Sequence, residues 1–245
     1  MTTLPMKAKV MIGMVAVASL FALTYGAEQW QTQTWPQLGM LAAAAALSSR
    51  LKVKIPGLTS SMSSNLPIIL LAVTQQGLFG SLVVAAVAAI AQSYNSGKNK
   101  TKPIQFVFNA CTLLNATGFA YWAYHRPLTA ASTTVHALSL VLAAVVYFLA
   151  NTAPVAGIIG LTEGGNPFAV WHQVFLWSFP NYVIGAGLTA IASAFTTVAG
   201  LVTMAALIAV LYLVHSSYKL YAGWAAEKRV ELKPEFLTKA AAASR

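Results

Sequence analysis

Between residues 103 and 125 the chain carries no Lys, Arg, Asp or Glu. Lys98, Lys100 and Lys102 precede this run, and Tyr121, Trp122, Tyr124 and Arg126 close it. Roughly 20 residues of helix at 1.5 Å rise cover the roughly 30 Å of bilayer hydrocarbon, so the pattern predicts a membrane-spanning helix. Lysines held on the cytoplasmic side and aromatic rings at headgroup level give it a direction. Residues 10–25 predict a first span, leaving Lys9 and reaching the far face near Glu28, Trp30 and Trp35. Residues 37–47 return to Arg50 and are short for a bilayer. Leu51, Val53 and Ile55 then alternate with Lys52 and Lys54 ahead of Pro56-Gly57, the period of an extended piece at the membrane surface.

Residues 66–73 and 78–91 are again short apolar runs, parted by Thr74, Gln75, Gln76 and Gly77. Broken spans are where polar groups line a cavity, because irregular backbone persists in a membrane only inside protein. Residues 37–94 are therefore the expected place for a pocket. Residues 129–149 predict a descending span. Residues 151–177, with Glu163, Gly164-Gly165, Pro167, His172 and two tryptophans, look too interrupted to cross and suit an amphipathic element in the interface. Residues 178–198 and 201–221 complete the set, joined at Ala199-Gly200. The fold expected is an all-α, polytopic integral membrane bundle of about eight spans, both termini cytoplasmic. The count falls to six where the short segments are re-entrant. Residues 1–222 form the membrane domain and residues 223–245 a cytoplasmic tail.

Composition agrees. A chain with 58% hydrophobic and 8% charged residues has too little polar surface to coat a water-soluble globule. The net charge of +10 invites a nucleic-acid partner, but its placement argues against one. The lysines and arginines other than Arg126 cluster at 7–9, 50–54, 98–102 and 219–245, where a membrane chain keeps its cytoplasmic loops and ends. The single cysteine, Cys111, has no intramolecular partner and reads as a small buried hydrophobe. Lys7 and Lys9 before an apolar run resemble a signal peptide. With no small-residue cleavage site and further spans following at once, that run is expected to be retained.

Residues able to carry chemistry are few. There is no aspartate, and of the glutamates Glu28 and three in the tail lie at predicted aqueous edges, while Glu163 reads as a surface turn. The histidines show no metal-ligand spacing. His136 and His215 fall in or near predicted spans, where an imidazole must face protein. A haem held between them is the sharper reading and helix-to-helix hydrogen bonds the simpler one, so the cofactor is left unknown and no metal is expected. The amides Asn65, Gln75, Gln76, Gln92, Asn109, Asn115, Asn151 and Asn181 must each meet a helix, a water or a ligand. Interhelical glue is the ordinary account. The sharper one is a ligand pocket using Asn65, Asn109 and Asn151, with His136 near its outer edge.

Three stretches together, LKVKIPGLTSSMSSNLPIILLAV, KPIQFVFNACTLLNATGFAYWAYH and ANTAPVAGIIGLTEGGNPFAVWHQVFLWSFPNYVIGAGL, resemble the membrane-embedded N-terminal sensory modules of bacterial cyclic di-GMP signalling proteins, both diguanylate cyclases and HD-type phosphodiesterases. The stretch LYLVHSSYKLYAGWAAEKRVE is similar to the helix by which such modules enter their output domain. The sequence stops where that domain would begin, so the resemblance implies a sensor without the enzyme. It further implies the bacterial inner membrane, contact with lipids, and a partner protein or larger membrane complex. Residues 51–67 are also similar to the substrate-binding subunits of vitamin importers, although Arg50, Lys52 and Lys54 put this stretch on the opposite face. The expected function is a non-enzymatic sensory or accessory module with a small apolar or amphipathic ligand. An importer subunit, or a structural subunit of a redox or photosynthetic complex, is the alternative.

Overall fold

The computed structural model describes residues 4–29, 35–54, 61–63, 65–94, 102–126, 133–195, 205–213 and 216. Among these the chain is helical, with one small ribbon. In order it forms α1 (Met6–Glu28), α2 (Trp35–Ser48), β1 (Lys52–Lys54), β2 (Ser61–Ser63), α3 (Leu66–Gln75), α4 (Leu78–Tyr94), α5 (Pro103–His125), α6 (Thr133–Glu163), α7 (Pro167–Val170) and α8 (Phe179–Phe195). A π turn (Trp171–Phe175) and a 3₁₀ turn (Leu176–Ser178) join α7 to α8, and residues 205–213 form α9.

The expected extended piece is present as one arm of an antiparallel ribbon in which Val53 faces Met62. The turn at Pro56-Gly57, the loop lysines Lys98 and Lys100, Pro127, the turn at Ala199-Gly200, Trp30, Trp224, His215 and the 223–245 tail lie outside the described residues.

α3 is the hub. It packs against α2, α4, α5, α6 and α8, and every residue from Leu66 to Val73 is buried. A helix apolar on all sides can be accommodated only by being surrounded. At 10 residues it is about 15 Å long, half the thickness of a hydrocarbon core. Its chain direction breaks at Gln76, whose backbone is extended (φ −115°, ψ 159°), and α4 begins two residues later.

α5 runs from Pro103 to His125 as its pattern predicts. Pro103 occupies the first turn, where a missing N–H costs nothing, and the Gln105 side chain accepts the Lys102 backbone N–H at 3.3 Å. Among the described residues two helical segments are long and apolar enough to cross a membrane, Met6–Glu28 and Val135–Glu163. α5 is not one of them, since Gln105, Asn109 and Asn115 lower its hydropathy. α1 buries only 11% of its most apolar window and α6 39% of its own. Val10, Met14, Val17 and Phe21 on α1, Val141 and Leu149 on α6, and Val183 and Ile191 on α8 are all exposed.

The expected interfacial element at 151–177 is corrected. Residues 151–163 are the second half of α6, which continues helically through Pro154 for 31 residues in all. The chain turns at Gly164, whose φ of +73° lies in the left-handed region open to glycine, and residues 167–195 run back. Glu163, Pro167 and His172 stay exposed at and after the turn, while the return is tied to α6 by two bonds: Asn151 donates to the Tyr182 hydroxyl at 3.1 Å, and the Trp171 indole donates to Thr152 Oγ1 at 2.9 Å. Around these bonds Phe148 meets Trp171, Phe179 and Tyr182 at centroid separations of 5.8, 5.2 and 4.9 Å.

Candidate functional site

The helix break between α3 and α4 gathers polar groups at one end of the bundle. α3 ends where Gln76 turns extended ahead of Gly77, and its last carbonyls are met both by its own final turn and by groups from α4 and α5. The Gln76 N–H donates to Ala72 O at 2.8 Å. The buried Ser81 hydroxyl lies 3.1 Å from both Ala72 O and Gly77 O. From α5, His125 Nε2 stands 3.0 Å from Val73 O, and since a carbonyl only accepts, this nitrogen carries the proton. Tyr121 packs against Leu78, the first residue of α4, and the buried cluster it forms with Leu82 and Leu114.

Neighbouring elements close the same end. Gln37 of α2 donates its amide to Gln75 Oε1 at 2.7 Å. Tyr25 of α1 packs on Trp122 of α5 with centroids 5.6 Å apart, and the Arg126 guanidinium stacks over Trp122 at 4.2 Å, a favourable arrangement of cation and π face. Tyr121 and Tyr124 flank the His125 ring at 4.2 and 4.9 Å. Gly26 of α1 lets that helix lie against Leu78 and the Phe79 backbone.

Within this layer two donors are unmet: Gln75 Nε2 and Gln76 Nε2 are buried and have no hydrogen-bond partner. Gln76 is only 6% exposed. A buried amide group without a partner costs about 1–3 kcal/mol, and two on consecutive residues make the break the most strained polar point among the described residues. Thr112 Oγ1 on α5 is also buried and unpartnered, but it stands alone.

The residues proposed from sequence are dispersed over different surroundings. Asn65 is buried just ahead of α3, its amide 3.5 Å from Ser49 Oγ. Asn151 is committed to Tyr182. Asn109 is exposed on α5. His136 is exposed on α6, with its ring 6.5 Å from that of Tyr124. No group of three His, Cys, Asp or Glu side chains able to hold a metal ion occurs among the described residues.

The sequence signal for the break was the amide pair before Gly77 between two apolar runs. Gln37 and His125, which reach it from α2 and α5, carried no such signal, because their partners lie 38 and 52 positions away. No protein-family model, curated protein or solved structure matches the chain.

Proposed function

We propose that this chain is a multi-pass protein of a bacterial inner membrane that binds a small apolar or amphipathic molecule at the α3–α4 break and acts, without catalysis of its own, as a sensory or accessory module for a partner protein. The membrane reading is supported by the outward apolar faces of α1, α6 and α8, since a soluble monomer rarely exposes apolar patches larger than a few hundred Å². On this reading the chain makes about eight passes with both termini cytoplasmic. The α3 pass is a half-helix of 10 residues, and the β1–β2 ribbon ahead of it stays at the cytoplasmic surface with Arg50.

The observation that carries the binding reading is the pair of buried, unpartnered amides at Gln75 and Gln76. A short turn between two passes, closed over by α1, α2 and α5, keeps these amides from water beneath the aromatic layer. The sensory assignment draws on the resemblance of residues 51–73, 102–125 and 150–188 to bacterial sensory modules.

Native copurification from the source membrane tests it. A soluble signalling enzyme eluting with the chain supports sensing. An ATPase module in its place converts the reading to an importer subunit, and a redox or photosynthetic complex to a structural one.

A further inference from the structure

The two buried side-chain atoms without a partner at the break are both amide nitrogens. Gln75 Oε1 already accepts from Gln37 at 2.7 Å. The single Ser81 hydroxyl proton is shared between Ala72 O and Gly77 O, and Val73 O is taken by His125. What remains are the N–H groups of Gln75 Nε2 and Gln76 Nε2, so the missing partner is an acceptor.

Charge decides which acceptor. Arg126 at this end is engaged over Trp122, and the His125 Nε2 proton is directed at Val73 O. Seating a carboxylate on two neutral amides would bury an ion while Arg126, still charged over Trp122, stays exposed to solvent. The penalty is several kcal/mol per ion, which cancels the roughly 1–3 kcal/mol each amide regains. A neutral carbonyl carries two lone pairs and no such penalty. The surroundings favour an apolar body: Leu78, Leu82 and Leu114 form a buried cluster against Tyr25 and Tyr121.

We infer that the occupant of this site presents a neutral carbonyl oxygen on an apolar molecule, the chemistry shared by a quinone and a carboxylic ester. The inference rests on the binding site proposed above.

The test uses the full chain in nanodiscs of ether-linked phospholipid, which supply no ester carbonyl. Thermal unfolding is followed against graded 2-decyl-1,4-benzoquinone, methyl decanoate, sodium decanoate and decylbenzene. One or both carbonyl compounds should raise the Tm where decylbenzene does not, and Gln76→Leu should weaken that response about tenfold, the worth of one hydrogen bond. Response to the quinone alone identifies a redox lipid as the source, and response to the ester alone an acyl lipid. Preference for decanoate, lost in Gln76→Leu, overturns the neutral class and leaves the site standing. Carbonyl binding that neither Gln76→Leu nor Gln75→Leu alters overturns the assignment to this break. If no probe exceeds decylbenzene and Gln76→Leu raises the Tm of the unliganded protein, inference and site fall together. Gln75→Leu serves alone if Gln76→Leu does not fold.

Discussion

A single imidazole shows how far apart in the chain the working contacts of this protein lie. His125 ends α5 and closes the last turn of α3 through Val73 O, so His125→Phe, which keeps a ring and removes the donor, should leave a carbonyl unmet at the break. The expected loss is about 1–3 kcal/mol, read as a lower unfolding midpoint in detergent. Asn115 makes an ordinary interhelical tie, donating to Val15 O of α1 at 2.9 Å. Asn115→Leu should cost less, about 0.6–2 kcal/mol, and a larger loss than that of His125→Phe in the same assay would reverse the ranking. Residue types that needed partners were legible in the sequence, because an amide in an apolar run is costly wherever it falls. Which of them remain unpaired was not legible: Asn115 and Asn151 are satisfied by Val15 and Tyr182, whereas Gln76 is not.

At the scale of elements, α6 and its return carry the clearest lesson. Glu163, Gly164-Gly165, Pro167 and His172 make residues 151–177 read as an interruption, and Pro154 within them removes a backbone N–H, yet α6 runs unbroken to Glu163. Along that stretch its polar side chains are met across the packing face by Trp171 and Tyr182. Thr152→Val therefore leaves the Trp171 indole without its acceptor. A loss of about 1–3 kcal/mol, with a shift in tryptophan emission, is the expected result, and unchanged stability and emission would show that this bond does not hold the return in place. The turn itself is tight. A Cβ on Gly160 would stand 2.7 Å from Pro167 Cγ and 3.0 Å from its backbone nitrogen, where a flexible side chain could not move aside. Gly160→Val should cost about 1–3 kcal/mol by overpacking, whereas Gly187→Ala, inside α8 with nothing within 4 Å, should cost nothing and stabilise by up to about 1 kcal/mol.

For the molecule as a whole, the polar and aromatic layer and the lysine-bearing end must lie on opposite sides of a membrane if the proposed orientation holds. α5 tests this directly, because Lys102 and Arg126 flank its two ends. In a Cys111→Ser background, Arg126→Cys should react with an impermeant maleimide on intact cells, and Lys102→Cys only after permeabilisation. Labelling of both from outside, or of neither after permeabilisation, contradicts the assigned direction.

The sequence by itself determined the helical class, the bounds of α5, the extended piece ahead of α3 and the break at Gln76-Gly77, because each follows from local hydropathy, periodicity or backbone preference. Only the tertiary structure decided that α3 is a surrounded half-helix, that residues 151–163 prolong α6, and that Gln37 and His125 converge on the break while Asn109 and His136 face outward. Those outcomes depend on which distant groups meet across helices. A hydrogen bond between residues dozens of positions apart leaves no trace in the pattern of either.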